Sequence, residues 1–561
     1  MINMVSVLTQ HNDNSRTGAN LQEVRLTTSN VNSSQFGKLF TRKVDGHIYA
    51  QPLYVSNVTI PNKGTHNVVY VATMHNYVYA FDADDPHAAE PLWEASLGLS
   101  VPLPDPNIGP RSSLWPTLGL LLSVLVNLVK HPLETFSLLR KMGKYSSLTV
   151  SELFGGYKDI SCEVGIVSTP VISLAHNTLY AVAFTKVGNA YAHHLHALDL
   201  TTGADKFGGP VQLGATVPGN GDGGVKGCVP FISHLQVQRA ALLLDNDIVY
   251  ITFASYGDQD PYHGWVFAYH ATTLHQVAVY NTTPDGGEGG IWMAGQGPAS
   301  DGKNNVYFMS GNGDFQRDGS ALGNSIVKLK PDLTLCDWFA PFNTKLLSDL
   351  DVDVGSSGTL LIPNTNLLLG GGKEGKLYLL DRDHLGHFNT GSDSQIIQSF
   401  YVSKGHHIHG GPVYWYGQNG SWIYIWPEND FLKAYQLTKG RFQTTPASQS
   451  TTTAPTGVPG GSSGMPGGML SISANGSTTG SGIVWASHPY RTSAIHAVVG
   501  GIVRAYDASD LTRELWNSKQ NACRDDVGNF AKFCSPTIAN GKLYMASFSG
   551  HLAVYGLLSV Q

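Results

Sequence analysis

Short apolar runs, each opened by a small residue, a proline or a polar residue, recur along almost the whole 561-residue chain. They read QPLYV from Gln51, TPVIS from Thr169, RAALLL from Arg239, GPASD from Gly297, GTLLI from Gly358, GPVYW from Gly411, GMLSI from Gly468 and SPTIA from Ser535. After the first interval, successive starts lie 70, 58, 61, 53, 57 and 67 residues apart. That spacing is the span of a four-stranded propeller blade. Two further β-rich segments follow each start, as in VVYVATMHNYVYAFDADD, NVYFMSGNGDF with SIVKLKPD, and LLLGGGKEGKLYLLDRD. Alternation such as Tyr77, Tyr79, Phe81 or Leu377, Leu379 puts side chains on both faces of strands that neighbouring blades would cover.

Both series count to eight, but the eighth unit stops at Val560 without a fourth strand. FGKLFTRKV (Phe36 to Val44) precedes the first unit and belongs to none. The pattern therefore predicts an all-β, eight-bladed β-propeller over residues 1–561, closed by this N-terminal strand. An open β-solenoid is the alternative, and it would leave sheet edges bare.

Two stretches break the period. The first interval, 118 residues from Gln51 to Thr169, holds an α-helical insertion over 110–158. Within it, Ser112 to Val129 carries no charge for 18 residues, and Pro132 opens a second, amphipathic segment with Leu133, Phe136 and Leu139. A homo-oligomer contact, a membrane or lipid contact through 112–145, and a lid over the channel are its three readings. The second stretch, 444–468, is a Ser/Thr/Pro/Gly-rich loop before the seventh blade.

Composition narrows the function classes. A net charge of −6 with no Lys/Arg block excludes nucleic acid as a partner. No GxSxG, HExxH or Walker loop is present, which argues against hydrolase and NTPase chemistry. The five cysteines show no CxxC spacing, and Cys162 with Cys228 is the candidate disulfide, Cys523 with Cys534 its rival. Sequons at Asn32, Asn57, Asn281, Asn419 and Asn475 and a low lysine content fit a secreted or extracellular glycoprotein. The opening MINMVSVLTQHNDNSRTG has neither a basic nor an apolar leader region, so any signal peptide has been removed or never existed.

The phrases VYAFDADD…EPLWEASLG, LHALDLTTGADKF and VRAYDASDLTRELW resemble the repeat of quinoprotein-like, pyrroloquinoline-quinone (PQQ) dehydrogenase propellers. The resemblance covers nearly the whole chain outside 110–158. It implies an axial funnel that holds PQQ and Ca²⁺ in the family's dehydrogenases. The family's vicinal disulfide has no counterpart here, because no two cysteines are adjacent.

Residues just before the opening strands would stand at one mouth of the axis. Gln51, Glu163, Thr169, Arg239, Trp292, Gln296, Asp526 and Lys532 are the candidate cofactor-binding ring. Asp351 or Asp353 would serve as base, with Arg239 or Lys532 polarising the quinone. His407 and His409, two apart in HHIHG, face one side and are candidate metal ligands, needing a carboxylate such as Asp351 or Asp353 to complete a site. Lys373 with Glu374, and Glu428 with Asp430, read as charged hairpin tips. Three functions remain: a propeller that binds a small polar ligand or serves as a structural module, a PQQ-dependent alcohol or sugar dehydrogenase, and a carbohydrate-binding lectin.

Overall fold

A computed structural model describes residues 5–109, 157–303, 305–457 and 464–559. Among these, eight antiparallel sheets form the blades of a propeller. Their first strands are Leu53–Ile60, Val171–Ser173, Leu243–Asp245, Ala299–Ser300, Leu360–Leu361, Val413–Gly417, Met469–Ser473 and Thr537–Ala539, one in each predicted opening run. The last blade contains Thr537–Ala539, Lys542–Met545 and His551–Leu557, and takes Phe36–Lys43 as its outer strand. Phe36 stands opposite Leu557 and Lys43 opposite His551, so the predicted closure is the observed one.

Closure is held by burial. Phe36 is fully buried and packs its ring 5.4 Å from Trp485 and 5.1 Å from Trp516 of blade 7. Burying a side chain of this size stabilises by about 2–3 kcal/mol. In blade 1 the predicted alternation appears as a stacked ladder, Tyr77 to Tyr79 at 5.7 Å and Tyr79 to Phe81 at 5.6 Å.

The N-terminal segment ahead of the closing strand makes one circuit of the axis and bonds to every blade in turn. Val7 exchanges backbone hydrogen bonds with Tyr54 of blade 1, and the Leu8 carbonyl accepts from Ile172 of blade 2. Asn14 donates its side-chain amide to Leu244 of blade 3, and its carbonyl accepts from Ser300 of blade 4. Ser15, Thr17 and Gly18 accept from Leu361, Tyr414 and Ile472 of blades 5, 6 and 7. Asn20 closes the circuit on Ile538 of blade 8. These partners are the second residue of each first strand, or the fourth in blade 7, and stand three to five residues after the opening of each run, roughly 10 Å or more along an extended chain at about 3.3 Å per residue. The strap thus crosses the channel below the residues that open each run, and its Gln10 reaches the axial cavity above it.

The predicted insertion at 110–158 falls almost entirely outside the described residues. Among the described residues no helix is long and apolar enough to cross a membrane. Part of the 444–468 stretch is ordered structure where a loop was expected: Ser448–Ala454 pairs with Asp430–Thr438 as an added outer strand of blade 6. Its alternating Ser and Thr residues supply the extended backbone that this edge needs.

Candidate functional site

In an antiparallel blade the connection entering the first strand and the turn joining the second and third strands lie at the same end. Each blade therefore offers two segments to the upper mouth. Blades 3 to 6 use both to build a crescent of charge.

Its centre is Lys373, in the second-to-third turn of blade 5. The ammonium lies 2.6 Å from Asp353 and 2.9 Å from Asp351, which precede that blade's first strand. Asn312, from the corresponding turn of blade 4, donates its backbone N–H to Asp353 and its side-chain amide to Asp351, both at 2.7 Å. Asn324 donates to the Asn312 carbonyl oxygen at 2.9 Å and fixes the amide's orientation. Two glycines let these groups meet. A Cβ at Gly311 would overlap the Asp353 carboxylate and the Trp292 ring, and one at Gly372 would overlap the Asp353 and Val354 carbonyls.

Asp258, from the turn of blade 3, adds a third carboxylate. Burial, then the charges of Asp351 and Asp353, push its carboxyl up to about 7. Burial also raises Asp351, and the neighbouring Asp353 adds to it. Burial would raise Asp353 too, but Lys373 overcomes this and holds it below the ordinary value. Two carboxylates pair with one ammonium and a third stands within reach of their charge, so the crescent carries excess negative charge whenever all three are ionised.

Blade 6 continues the crescent. His407 and His409 precede its first strand, and the Glu428 N–H bonds to the His407 carbonyl at 3.0 Å, which brings the turn onto the histidines. Ligand atoms of His407, His409 and Glu428 all lie within 4.8 Å of one another. Burial lowers His407 to about 4, so its imidazole is neutral, the form that binds metals. The carboxylate that completes the trio is Glu428; Asp351 and Asp353, expected for that place, are tied to Lys373. His406 faces elsewhere and lines a polar pocket of about 350 Å³ with Lys404 and Lys433.

The predicted cofactor ring is gathered only in part. Gln51, Thr169, Arg239, Gln296 and Lys532 line one axial cavity with Phe533. Its volume is about 20 Å³, room for a single water and not for a three-ring quinone. Most of their polar groups are spent on structure. The Gln51 amide donates to Thr537 and its backbone to Thr169, Gln296 donates to the Thr359 carbonyl, and Lys532 donates to the Asp159 and Ile495 carbonyls. Arg239 stacks 4.0 Å over the Phe533 ring. Burial brings Lys532 down to about 8, against the pull of Asp159. The cation beside the candidate base is therefore Lys373, in place of Arg239 or Lys532. Trp292 stands against Gly311 beside Asp353 and joins the crescent.

Two ring members stand elsewhere. Glu163 accepts from His75 at 2.8 Å and from Ser100 on the rim of blade 1. Asp526 is paired with Lys519 at 2.7 Å, and its carbonyl accepts from Lys38 of the outer closing strand, because the segment before blade 8 swings to the periphery through the short helix Ala522–Asp525.

All five cysteines are free, so neither proposed disulfide forms. Cys228 belongs to a separate hairpin, Thr216–Pro218 with Cys228–Pro230, while Cys162 precedes the short strand Glu163–Val164, which pairs with Val101–Pro102. Of the sequons, Asn57, Asn419 and Asn475 are exposed and Asn32 is half-buried. Asn281 is buried opposite Trp265 with its side chain accepting from the Thr283 N–H, which removes it as an acceptor in the folded chain.

Asp258, Asn312, Lys373 and Glu428 were missed as site residues because attention fell on the strand starts. The signal was present: YGD, GNGD, GKEG and PEND each follow a second strand at the same place in the repeat.

Comparison with protein-family profiles and with curated proteins finds no match. Solved structures do match in fold. A quinohemoprotein alcohol dehydrogenase from Pseudomonas putida HK5 is similar with a TM-score of 0.55 and 14% identity over 99% of this chain and 81% of that one. A europium-containing methanol dehydrogenase gives 0.56 and 12% over 98% of both chains. A quinohemoprotein alcohol dehydrogenase from Comamonas testosteroni gives 0.51 and 14% over 98% of this chain and 80% of that one. The chain is a quinoprotein-like, eight-bladed β-propeller in fold.

Proposed function

We propose that this chain binds a small oxygen-rich ligand at its upper mouth through a hard divalent cation, Ca²⁺ being the fitting choice. The observation that carries this reading is that Asp351 and Asp353 meet one ammonium, Lys373, with Asp258 close enough to feel the charge of all three. Carboxylate oxygens suit a hard cation, and a divalent ion would neutralise the charge that Lys373 leaves. Asn312 would keep Asp351 and Asp353 oriented toward it. Protein atoms crowd the Asp258 and Asp351 carboxyls, but both residues keep exposed surface at the mouth, which leaves the ion a face for ligand. A setting outside the cytosol belongs to this reading, supported by the exposed sequons at Asn57, Asn419 and Asn475.

PQQ does not fit the described residues as well as the cation does. The axial cavity is water-sized and no adjacent cysteines exist. One observation favours a PQQ-dependent dehydrogenase as the second reading: the Trp292 ring lies beside Asp353, a flat surface next to a carboxylate.

Terbium luminescence sensitised by Trp292 tests the first reading. Tb³⁺ should bind with one equivalent and be displaced by Ca²⁺, and Asp351→Asn should weaken it about tenfold or more. No luminescence, or an unchanged affinity in that variant, overturns it. Adding PQQ with Ca²⁺ separates the readings. Quinone absorbance on the protein together with dye reduction by alcohols would establish the second, and a cation bound without either leaves the first.

A further inference from the structure

His407, His409 and Glu428 form a cluster distinct from the oxygen-only crescent. His409 and Glu428 are 5% and 4% exposed. The His409 Nε2 and Glu428 Oε1 atoms lie 2.9 Å apart, and beyond this contact neither atom has a further hydrogen-bond partner. A buried histidine and carboxylate held this close leave their remaining lone pairs directed at the half-buried His407. The segment is anchored on both sides: Ser356 donates to the Ile408 carbonyl at 2.6 Å, and the Ile408 side chain is buried in the core between blades 5 and 6. With Ile408 turned inward, His407 and His409 face the other way together, their rings 5.7 Å apart.

The donor set decides the metal. Two imidazoles and one carboxylate are the ligands of three-coordinate protein sites for zinc that keep one position open. Around a tetrahedral ion at about 2.1 Å the donor atoms stand roughly 3.4 Å apart. The separations here, from 2.9 Å up to 4.8 Å, bracket that spacing, so small side-chain rotations would bring all three onto one ion. An ordinary His–carboxylate ion pair does not need the second histidine.

We propose that His407, His409 and Glu428 bind one first-row divalent metal ion, zinc being the best fit, with an open coordination position at the upper mouth. The site is separate from the calcium reading, since it shares no ligand with it, and either can fail alone.

The test uses the full chain stripped of metal with a chelator. Zinc affinity would be measured by competition with a chromophoric chelator, and cobalt(II) would report geometry through its visible absorption. One equivalent of zinc is expected, with a four-coordinate cobalt spectrum. His409→Gln and Glu428→Gln should each weaken zinc on the order of 100-fold, since losing a ligand costs at least as much as losing a partner that orients one. His407→Gln, at a half-buried position, gives the same readout if the buried variants do not fold. His66→Gln removes another His–carboxylate pair, His66 to Asp82 at 2.6 Å, and should change nothing. Zinc no tighter than millimolar, unchanged affinity in the ligand variants, or equal weakening by His66→Gln would each overturn the proposal.

Discussion

The two ends of the axial channel are built on the same eight first strands, yet they treat buried charge in opposite ways. At the lower end the strap carries Arg16, which is fully buried and donates to the Pro298, Gln10 and Leu242 carbonyls and to the Thr9 hydroxyl. Its guanidinium has acceptors on all sides, and burial still lowers it to about 10, against the pull of Asp13. At the upper mouth Asp351 and Asp353 share Lys373, Asp258 feels the charge of all three, and His409 pairs with Glu428 beside His407. Both ends hold costly groups. The Arg16 guanidinium is satisfied within the chain, whereas the mouth crowds carboxylates around one ammonium, which separates polarity that closes a structure from polarity that can take a ligand.

The strongest break of this contrast is Arg16→Ala. It would strand four acceptors in the interior and uncouple the strap from blades 3 and 4, with an expected loss of about 4 kcal/mol in denaturant unfolding. A loss under about 1 kcal/mol would show that the strap lies on the ring without holding it.

Asp353→Asn is the matching change at the upper mouth and should be milder. It takes the closest partner from Lys373, at 2.6 Å, but leaves Asp351 at 2.9 Å. A cost of about 2 kcal/mol is expected, because the ammonium stays partly compensated. Asp351→Asn, at the more exposed carboxylate, should stay within about 0.5 kcal/mol of the parent. Equal costs for the two would mean that the crescent is a uniform structural network.

The ring was legible because period-two runs opened by Gly, Pro or Ser mark first strands such as Val413–Gly417 and Thr537–Ala539 directly. Phe36–Lys43 was legible as a strand without a blade. The strap was not, because residues 7–20 bond to a different blade every one to six positions and so leave no period. Half of the mouth was visible, since Asp353 and His409 immediately precede first strands. The other half was hidden by reading Lys373 and Glu428 as exposed tips, when the turn between second and third strands points to the same end as the strand starts. His193 and His196 were hidden too: both are buried in blade 2, where His193 contacts the backbone at Ser233 and Gln236.

The smallest effect sharpens the contrast most, because it depends on pH. The Asp258 carboxyl titrates near 7 in the folded chain, against an ordinary aspartate value of 3.8. Between these values the folded state holds a proton that the unfolded chain has lost, so stability from this group is complete below about pH 3.8 and falls as pH rises, until it is gone above about 7. Asp258→Asn keeps the neutral form at every pH. The variant should therefore melt like the parent at pH 4, and the gap in its favour should open on the way to pH 8, as the parent's third carboxylate ionises beside Asp351 and Asp353. Millimolar Ca²⁺ at pH 8 should close that gap by stabilising the parent. A constant gap across the range would mean that Asp258 does not feel the crescent. A gap that opens but ignores calcium would keep the electrostatics and remove the cation from the mouth.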